Sequence, residues 1–269
     1  MNVKTIFQKF SLFLFFCRKR PLLYGTTFIC EKGTSIIVGR NVKLKHCKIH
    51  VYKNSVLHIG DDTTVERAEI RVFQGSSVMI GTNCHVSDTL MLVTGKIHMG
   101  NYNICEKGSC YRPMTFEVDG NVIIGNYNRL RCVIWNRFAS TLQMGDYNNV
   151  NEESEIRCDE KITIGDFNQI SYRCTIWDTN THNIYDAPRR RKLAIEKYPW
   201  YGYETERPKT IPVTIGNDNW IGKNATLMKG TMIGNRCIVG YATILCKTHV
   251  PDNKTVVQSI EIKEFPNDI

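Results

Sequence analysis

Hydrophobic and polar residues recur in blocks of six near the end of the chain. From Ile215 onward the sequence divides into IGNDNW, IGKNAT, LMKGTM, IGNRCI, VGYATI and LCKTHV. Each block begins with an aliphatic residue, glycine is usually second, and the fifth place is mostly small. A period of six fits neither the 3.6 of an α-helix nor simple strand alternation. Such hexapeptides are typical of a parallel β-helix.

Three blocks make one triangular coil of short strands, so each block stacks on the block 18 residues later. Gly216 and Gly234 have this separation. Stacked coils lie about 4.8 Å apart and pair main chain to main chain. The register assigns His249 to a corner of the prism. It also predicts vertical stacks of inward-pointing aliphatic residues, which include Ile215, Ile221, Ile233 and Val239.

A looser form of the pattern runs upstream. Aliphatic-glycine pairs recur every 19 to 25 residues, from Val38-Gly39 to Ile164-Gly165. We therefore predict one all-β solenoid from about Val38 to Val250, whose ends need capping. The predicted organisation is an N-terminal extension at 1–30, a β-helix domain at 31–253 and a C-terminal tail at 254–269.

One segment breaks the repeat. The pattern stops after Ile176 and resumes near Ile211, which predicts an excursion loop at 178–211. The excursion contains His182 and a basic run at 189–192. Long loops that leave a regular scaffold usually carry function. The basic run either recognises an acidic ligand or is a solvated surface.

Composition narrows the partners only in part. The chain has 269 residues, of which 42% are hydrophobic and 23% charged, as in ordinary globular proteins. The net charge of +9 favours anionic partners. No recognition motif for nucleic acid accompanies the basic residues, so we expect no nucleic-acid partner.

The eleven cysteines include no CxxC pair, so the spacing of a zinc site is missing and we expect no metal. We interpret the cysteines as reduced thiols that act as small buried apolar residues. This interpretation predicts a cytoplasmic protein.

The first 25 residues differ from the rest. An apolar run from Phe10 to Cys17 is followed by Arg18-Lys19-Arg20. The run is far shorter than the roughly 20 residues that span a bilayer, and no small-residue cleavage site follows it. Two readings remain open. The segment either forms a capping helix over the open end of the solenoid or contacts the inner face of the membrane as an interfacial anchor.

The stretch from Ile211 to Asn253 resembles the C-terminal half of hexapeptide-repeat acyltransferases, which include sugar and capsule polysaccharide O-acetyltransferases. The resemblance implies a left-handed parallel β-helix and transfer of an acetyl group from acetyl-CoA to a sugar hydroxyl of a cell-surface glycan or its precursor. It also implies a homotrimer with each site in the groove between two prisms. Closed threefold symmetry fits a triangular prism.

His182 is the candidate catalytic residue. The family has a histidine in a segment resembling D-x-H-x-I-x-D, and here the segment reads Asn180 to Asp186. The resemblance makes His182 the general base, with Asn180 or Asp178 as the group that orients it. The chemistry agrees, because an imidazole with an ordinary pKa near 6.5 can take a proton from a sugar hydroxyl as it attacks a thioester.

The resemblance also assigns the other site residues. Trp220 would line the acceptor or pantetheine groove and lie near the oxyanion, or else pack as a surface aromatic. The acetyl-CoA contacts would be Lys223, Tyr241, Ala242 and Lys247. Lysines are reasonable partners of the CoA phosphates, although they could equally be solvated.

Two alternatives remain at this point. The first is N-acyl transfer to an amino sugar or amino acid. The second is a non-enzymatic β-helix scaffold in which His182 is incidental.

Overall fold

The computed structural model describes residues 14–17, 22–109, 112–200, 204–261 and 263–265. Three parallel sheets form the faces of a triangular prism, and successive strands visit the three sheets in turn. The all-β, left-handed parallel β-helix that the repeat and the resemblance predict is confirmed.

We call the three sheets A, B and C. In the described ranges, sheet A contains β1 Leu14–Cys17, β4 Ser35–Val38, β7 Val56–Ile59, β10 Ser77–Ile80, β13 Lys96–Met99, β16 Asn121–Ile124, β19 Thr141–Met144, β22 Lys161–Ile164, β25 Val213–Ile215, β28 Met232–Ile233 and β31 His249–Val250. Sheet B contains β2 Leu22–Tyr24, β5 Lys43–Lys45, β8 Thr64–Glu66, β11 His85–Ser87, β14 Ile104–Cys105, β17 Arg129–Leu130, β20 Asn149–Val150, β23 Gln169–Ile170, β26 Trp220–Ile221, β29 Ile238–Val239 and β32 Thr255–Val256. Sheet C contains β3 Thr27–Cys30, β6 Lys48–Val51, β9 Glu69–Val72, β12 Thr89–Val93, β15 Met114–Val118, β18 Val133–Asn136, β21 Glu155–Cys158, β24 Thr175–Trp177, β27 Thr226–Leu227 and β30 Ile244–Leu245.

The core is a column of stacked aliphatic residues inside the prism. Ile215 pairs with Ile233 on sheet A, and Ile221 pairs with Val239 on sheet B. All four side chains are buried, as the register predicts. Side chains alternate between the two faces of each short strand, so the intervening residues point outward.

The corner between sheets A and B carries a ladder of buried asparagines. The Asn148 amide donates to the Gly165 carbonyl of the next coil, and its Oδ1 accepts from the backbone of Asn168. Glycine is required beside it, because a Cβ on Gly165 would lie 2.7 Å from the Gly216 carbonyl oxygen. These bonds satisfy the buried polar groups that a tight corner would otherwise leave unpaired.

Most described cysteines are core residues, as the sequence predicts. Cys47, Cys84, Cys105, Cys132, Cys158, Cys174 and Cys237 are buried thiols. Burial raises the pKa of Cys132 to about 12. Cys246 differs, because it lies exposed at the corner that follows β30.

The solenoid extends beyond the predicted bounds of the β-helix domain at both ends. Strands β1, β2 and β3 already belong to the three sheets, so pairing begins before residue 31. Strand β32 continues sheet B after residue 253. Leu14–Cys17, the second half of the apolar run, form a strand that pairs with Ser35–Val38, so a capping helix is wrong for these residues. Residues 1–13 and 18–21 lie outside the described residues, and contact with a membrane stays a prediction.

The assignment of His249 to a corner is wrong. Ile233 pairs with Val250, so the last coil is one residue shorter than the 18-residue register. His249 therefore lies on β31 and points outward, exposed to solvent. In the hexapeptide register Val250 is the sixth residue of its block and Pro251 would open the next block, whereas in the structure Val250 is the inward residue that pairs with Ile233.

The excursion leaves the prism between β24 and β25, at the corner between sheets C and A. It contains the helix α1, Ala187–Glu196, where the sequence predicts a loop. Asp186 accepts a hydrogen bond from the Arg189 backbone and caps the helix. None of the residues of α1 is buried. Within the described part of the chain, no helix is long and apolar enough to cross a membrane.

Candidate functional site

Two chain segments meet at the base of the excursion. Thr179 and Thr210 form an antiparallel bridge, and the Asn180 backbone donates to the Lys209 carbonyl. The Ile211 backbone closes the base by donating to the Asp178 carbonyl. This pairing brings residues near 180 next to residues near 205.

His182 and Glu204 face each other above this base. Nδ1 of His182 lies 3.3 Å from Oε1 of Glu204. The Asn183 backbone donates to Oε1 of Glu204, and the Asn183 amide donates to Oε2, each at 3.1 Å. The Glu204 side chain is 13% exposed and the imidazole is 61% exposed. The carboxylate is therefore fixed in place, while Nε2 of His182 is free to meet a ligand.

The groups expected to orient His182 are occupied elsewhere. Asp178 is fully buried, and its carboxylate accepts hydrogen bonds from the backbones of Asp159, Glu160 and Lys161. Burial raises the pKa of Asp178, and these hydrogen bonds oppose the rise. Asn180 accepts from the ammonium of Lys229. The structure thus assigns the orienting contact to Glu204 instead of Asp178 or Asn180.

Sequence reasoning missed Glu204. It lies 22 residues after His182, in a stretch without repeat or motif. The signal available in the sequence was that Glu204 is a carboxylate in the same excursion as His182. The pairing itself depends on how the excursion folds back on its own base.

The residues expected to contact acetyl-CoA are only partly brought together. Lys223, Tyr241 and Ala242 share the corner between sheets B and C on successive coils. The Ala242 backbone donates to the Lys223 carbonyl there. Tyr241 is 68% exposed, and its hydroxyl accepts from the Asn224 amide. This corner offers an exposed lysine and an aromatic ring, which suits a nucleotide bearing phosphates.

Trp220 and Lys247 lie away from that corner. Trp220 lies on β26 and points outward from sheet B, 58% exposed. Lys247 belongs to the corner between sheets C and A, where its backbone donates to the Lys229 carbonyl. It is therefore on the His182 side of the prism.

The predicted site residues thus form two groups in one chain. One group, at the corner between sheets C and A, contains His182, Asn180, Asp178 and Lys247. The other group, on sheet B and its corner with sheet C, contains Trp220, Lys223, Tyr241 and Ala242. The two groups belong to different corners of the triangular prism, so a single chain does not combine them into one site.

His182 and Glu204 line a cavity of about 810 Å³ on the outward face of sheet C. The other walls include Trp135, Arg157 and Glu117. Among the residues that the structure describes, no group of three or more histidine, cysteine, aspartate or glutamate side chains is arranged to hold a metal ion.

These features define the class of protein: a β-helix with hexapeptide coils and an exposed histidine paired with a carboxylate. Comparison with known proteins supports the class. Residues 212–259 match the family model "Bacterial transferase hexapeptide (six repeats)". This match confirms the resemblance to hexapeptide-repeat transferases over the last coils.

One curated relative is WbbJ of Escherichia coli strain K12, whose provisional name is lipopolysaccharide biosynthesis O-acetyl transferase. It is 27% identical over 126 residues, which cover 47% of this chain and 57% of the relative. The match therefore spans little more than half of that protein's length.

Two solved structures are similar over most of the chain. The polySia specific acetyltransferase NeuO is 15% identical, with 95% of this chain and 92% of that chain covered and a TM-score of 0.32. The polysialic acid O-acetyltransferase OatWY is 18% identical, with 91% and 81% covered and a TM-score of 0.28. These values are too low to transfer a function.

Proposed function

We propose that this chain is an O-acetyltransferase that moves an acetyl group from acetyl-CoA to a sugar hydroxyl of a cell-surface glycan or its precursor. The observation that carries the proposal is the His182–Glu204 pair in the lining of an open cavity. The hexapeptide coils and the WbbJ similarity support the same reaction class.

His182 acts as the general base in this proposal. Its Nε2 takes the proton from the sugar hydroxyl while the hydroxyl oxygen attacks the thioester carbonyl. A C–O bond forms, the C–S bond breaks, and the imidazolium returns the proton to the departing thiolate. Glu204 holds Nδ1, so that the ring keeps its orientation and the transient imidazolium meets a negative charge. No covalent acyl-enzyme is needed.

The nucleotide would lie along the corner that contains Lys223, Tyr241 and Ala242. An ammonium suits the CoA phosphates, and backbone N–H groups near Trp220 would hold the oxyanion. Because His182 lies at a different corner, we propose that a second copy supplies the other half of each site. A homotrimer with three equivalent grooves meets this requirement.

The direct test is transfer of labelled acetyl from acetyl-CoA to a panel of sugars, amino sugars and glycans. We expect His182→Ala to lower the turnover number about 10²- to 10⁴-fold, the usual contribution of a general base. The melting temperature and the affinity for acetyl-CoA should stay nearly unchanged. Retention of more than about a tenth of the turnover would exclude a general base of that size.

The same panel separates the remaining possibilities. Transfer only to amino groups would indicate an N-acyltransferase. Absence of both transfer and acetyl-CoA hydrolysis would indicate a scaffold. The predicted cytoplasmic location and the predicted lack of a nucleic-acid partner stay predictions.

A further inference from the structure

The cavity beside His182 continues along the prism as a groove. Its floor is a column of outward side chains that pair in register across β12, β15, β18 and β21: Leu92, Glu117, Trp135 and Arg157. Phe73 extends the wall to the coil of β9, and His182 and Glu204 of the excursion line the same cavity, near the corner where Arg137 lies 3.5 Å from the Thr181 carbonyl. Coils are about 4.8 Å apart, so these five rungs span roughly 19 Å.

Trp135 is held rigidly in this column. The Arg157 guanidinium stacks over its ring at 4.0 Å from the centroid, and the same guanidinium lies 5.0 Å from the ring of Trp177. Arg157 thus fills the space between two indoles on alternate coils. It covers the face of Trp135 that looks toward the next coil, and the half-buried indole keeps its other side toward the rung of Glu117.

Arg157 forms an ion pair with a carboxylate of its own strand, Glu155. Its Nε is buried, and among the described residues it has no hydrogen-bond partner. Burial lowers the pKa of Arg157, although the nearby carboxylate of Glu155, 3.3 Å from Nε, opposes the shift. The guanidinium therefore holds the indole by stacking on it, while the Glu155 carboxylate opposes its charge.

Glu117 supplies an open acceptor beside the indole. The side chain is exposed, and within the described ranges its carboxylate takes part in no hydrogen bond. The carboxylates of Asp159 and Glu204 are instead occupied by Arg137 and by Asn183. A carboxylate next to an aromatic face is the arrangement that recognises a pyranose, whose C–H face packs on the ring while its hydroxyls donate to the oxygens.

We infer that this groove is the acceptor subsite, in which a chain of linked pyranoses lies along sheet C with one ring on Trp135 and its hydroxyls on Glu117. This inference rests on the proposed function, because the part of the groove at His182 is where a hydroxyl would be acetylated. A groove of five rungs is longer than one sugar. It selects an oligosaccharide or polymer over a monosaccharide or an amino acid.

The first experiment measures binding to the full chain without acetyl-CoA, so that no turnover occurs. The four tryptophans are replaced by 5-fluorotryptophan, and their ¹⁹F signals are assigned by single Trp→Phe variants. The probes are neutral oligomers from dextran and carboxylated oligomers from polygalacturonate, each of two to six sugars. We expect the Trp135 signal to shift saturably, with affinity that rises with chain length, while the Trp220 signal stays in place.

Variants separate the groove from general sugar binding. Glu117→Gln, an exposed change that should not disturb folding, is expected to weaken binding about ten-fold, or roughly 1.4 kcal/mol. Tyr127→Ala is the matched control, because Tyr127 is an exposed aromatic at the corner between sheets A and B. A Trp135 signal that no probe moves, or an equal response in the Tyr127 and Glu117 variants, overturns the inference. A shift by either probe class supports it, and the two classes show whether the acceptor is neutral or acidic.

Kinetics then link the groove to the reaction. On a glycan that the wild type acetylates, Glu117→Gln and Trp135→Leu should raise the KM for the glycan about ten-fold. The KM for acetyl-CoA should not change, because the proposed nucleotide corner lies between sheets B and C. Sugar binding at Trp135 without any acetyl transfer would refute the proposed function but would support the groove as a glycan-binding site. If the wild type and both variants acetylated the glycan with the same KM, the groove would be refuted as the acceptor subsite and the proposed function would stand.

Discussion

The carboxylate of Glu204 lies 3.3 Å from Nδ1 of His182 and is held there by two hydrogen bonds from Asn183. We expect Glu204→Gln to lower the turnover number about ten-fold or more, but less than His182→Ala, because the amide cannot stabilise an imidazolium. Steady-state kinetics with labelled acetyl-CoA measure this. Glu206→Gln is the matched control, since that exposed carboxylate contacts Tyr185 and Arg189 instead. Equal losses in both variants would contradict the pairing.

Asp178 should matter for stability. Its buried carboxylate accepts three backbone hydrogen bonds from the preceding coil, so Asp178→Ala leaves buried N–H groups unsatisfied. We expect a loss of about 1–3 kcal/mol in the free energy of unfolding, measured by chemical denaturation. The comparison is Asn180→Ala, two residues away, which should change stability by less. If Asp178→Ala abolished activity without changing stability, Asp178 would instead act as the group that orients His182.

Residues on two paired strands of sheet B should differ strongly in their contribution to stability. Ile221 is fully buried on β26, while Ile238 on β29 is 39% exposed on the same sheet. Ile221→Ala should cost about 2–5 kcal/mol, through lost burial and a cavity. Ile238→Ala should stay within about 0.5 kcal/mol in a monomer. Thermal melting of both variants checks this, and similar losses would be inconsistent with the inward and outward assignment.

Glu152 should contribute a pH-dependent part of stability. It is 6% exposed, 3.3 Å from Nη1 of Arg131 and 3.3 Å from the Ser109 hydroxyl. Burial alone would raise the pKa of Glu152, but backbone hydrogen bonds and the Arg131 charge outweigh it and hold the pKa below its ordinary value.

A lowered pKa in the folded state stabilises the protein above the unfolded pKa of about 4.3 and loses that contribution as pH falls. We therefore expect Glu152→Gln to be less stable than the wild type at pH 7. The difference should shrink as the pH drops below about 4. Melting temperatures across this range give the result, and a difference independent of pH would rule out the carboxylate as its source.

The site that we propose to be shared between two copies predicts complementation between chains that are each impaired. A His182→Ala chain keeps Trp220 and Lys223, and a Trp220→Ala chain keeps His182. Co-expression of the two should restore part of the activity, because mixed assemblies contain some sites with both wild-type halves. Each variant expressed alone is the control, and sedimentation gives the number of chains per assembly. No recovery from correctly assembled mixtures would argue that each chain forms its own site.

The solenoid follows from the amino-acid sequence alone. Each hexapeptide contacts only the coils above and below it, so a local pattern of aliphatic and small residues fixes the strands, the corners and the inward stacks. Ile215 and Ile233 follow directly from that register. The break after Ile176 likewise marked the excursion and, within it, His182.

The assembly of the site depends on tertiary contacts that the sequence pattern does not show. Glu204 reaches His182 because the excursion folds back on its base, and no period relates residues inside that segment. The short last coil moves His249 to the outer face and gives the inward position to Val250, the sixth residue of its block, instead of to residue 251. The carboxylate of Asp178 accepts hydrogen bonds from the backbone of the preceding coil. Trp135 and Arg157 become neighbours on the groove floor because β18 pairs with β21. Such contacts join residues that are distant in the chain, and their geometry depends on how the coils and the excursion pack together.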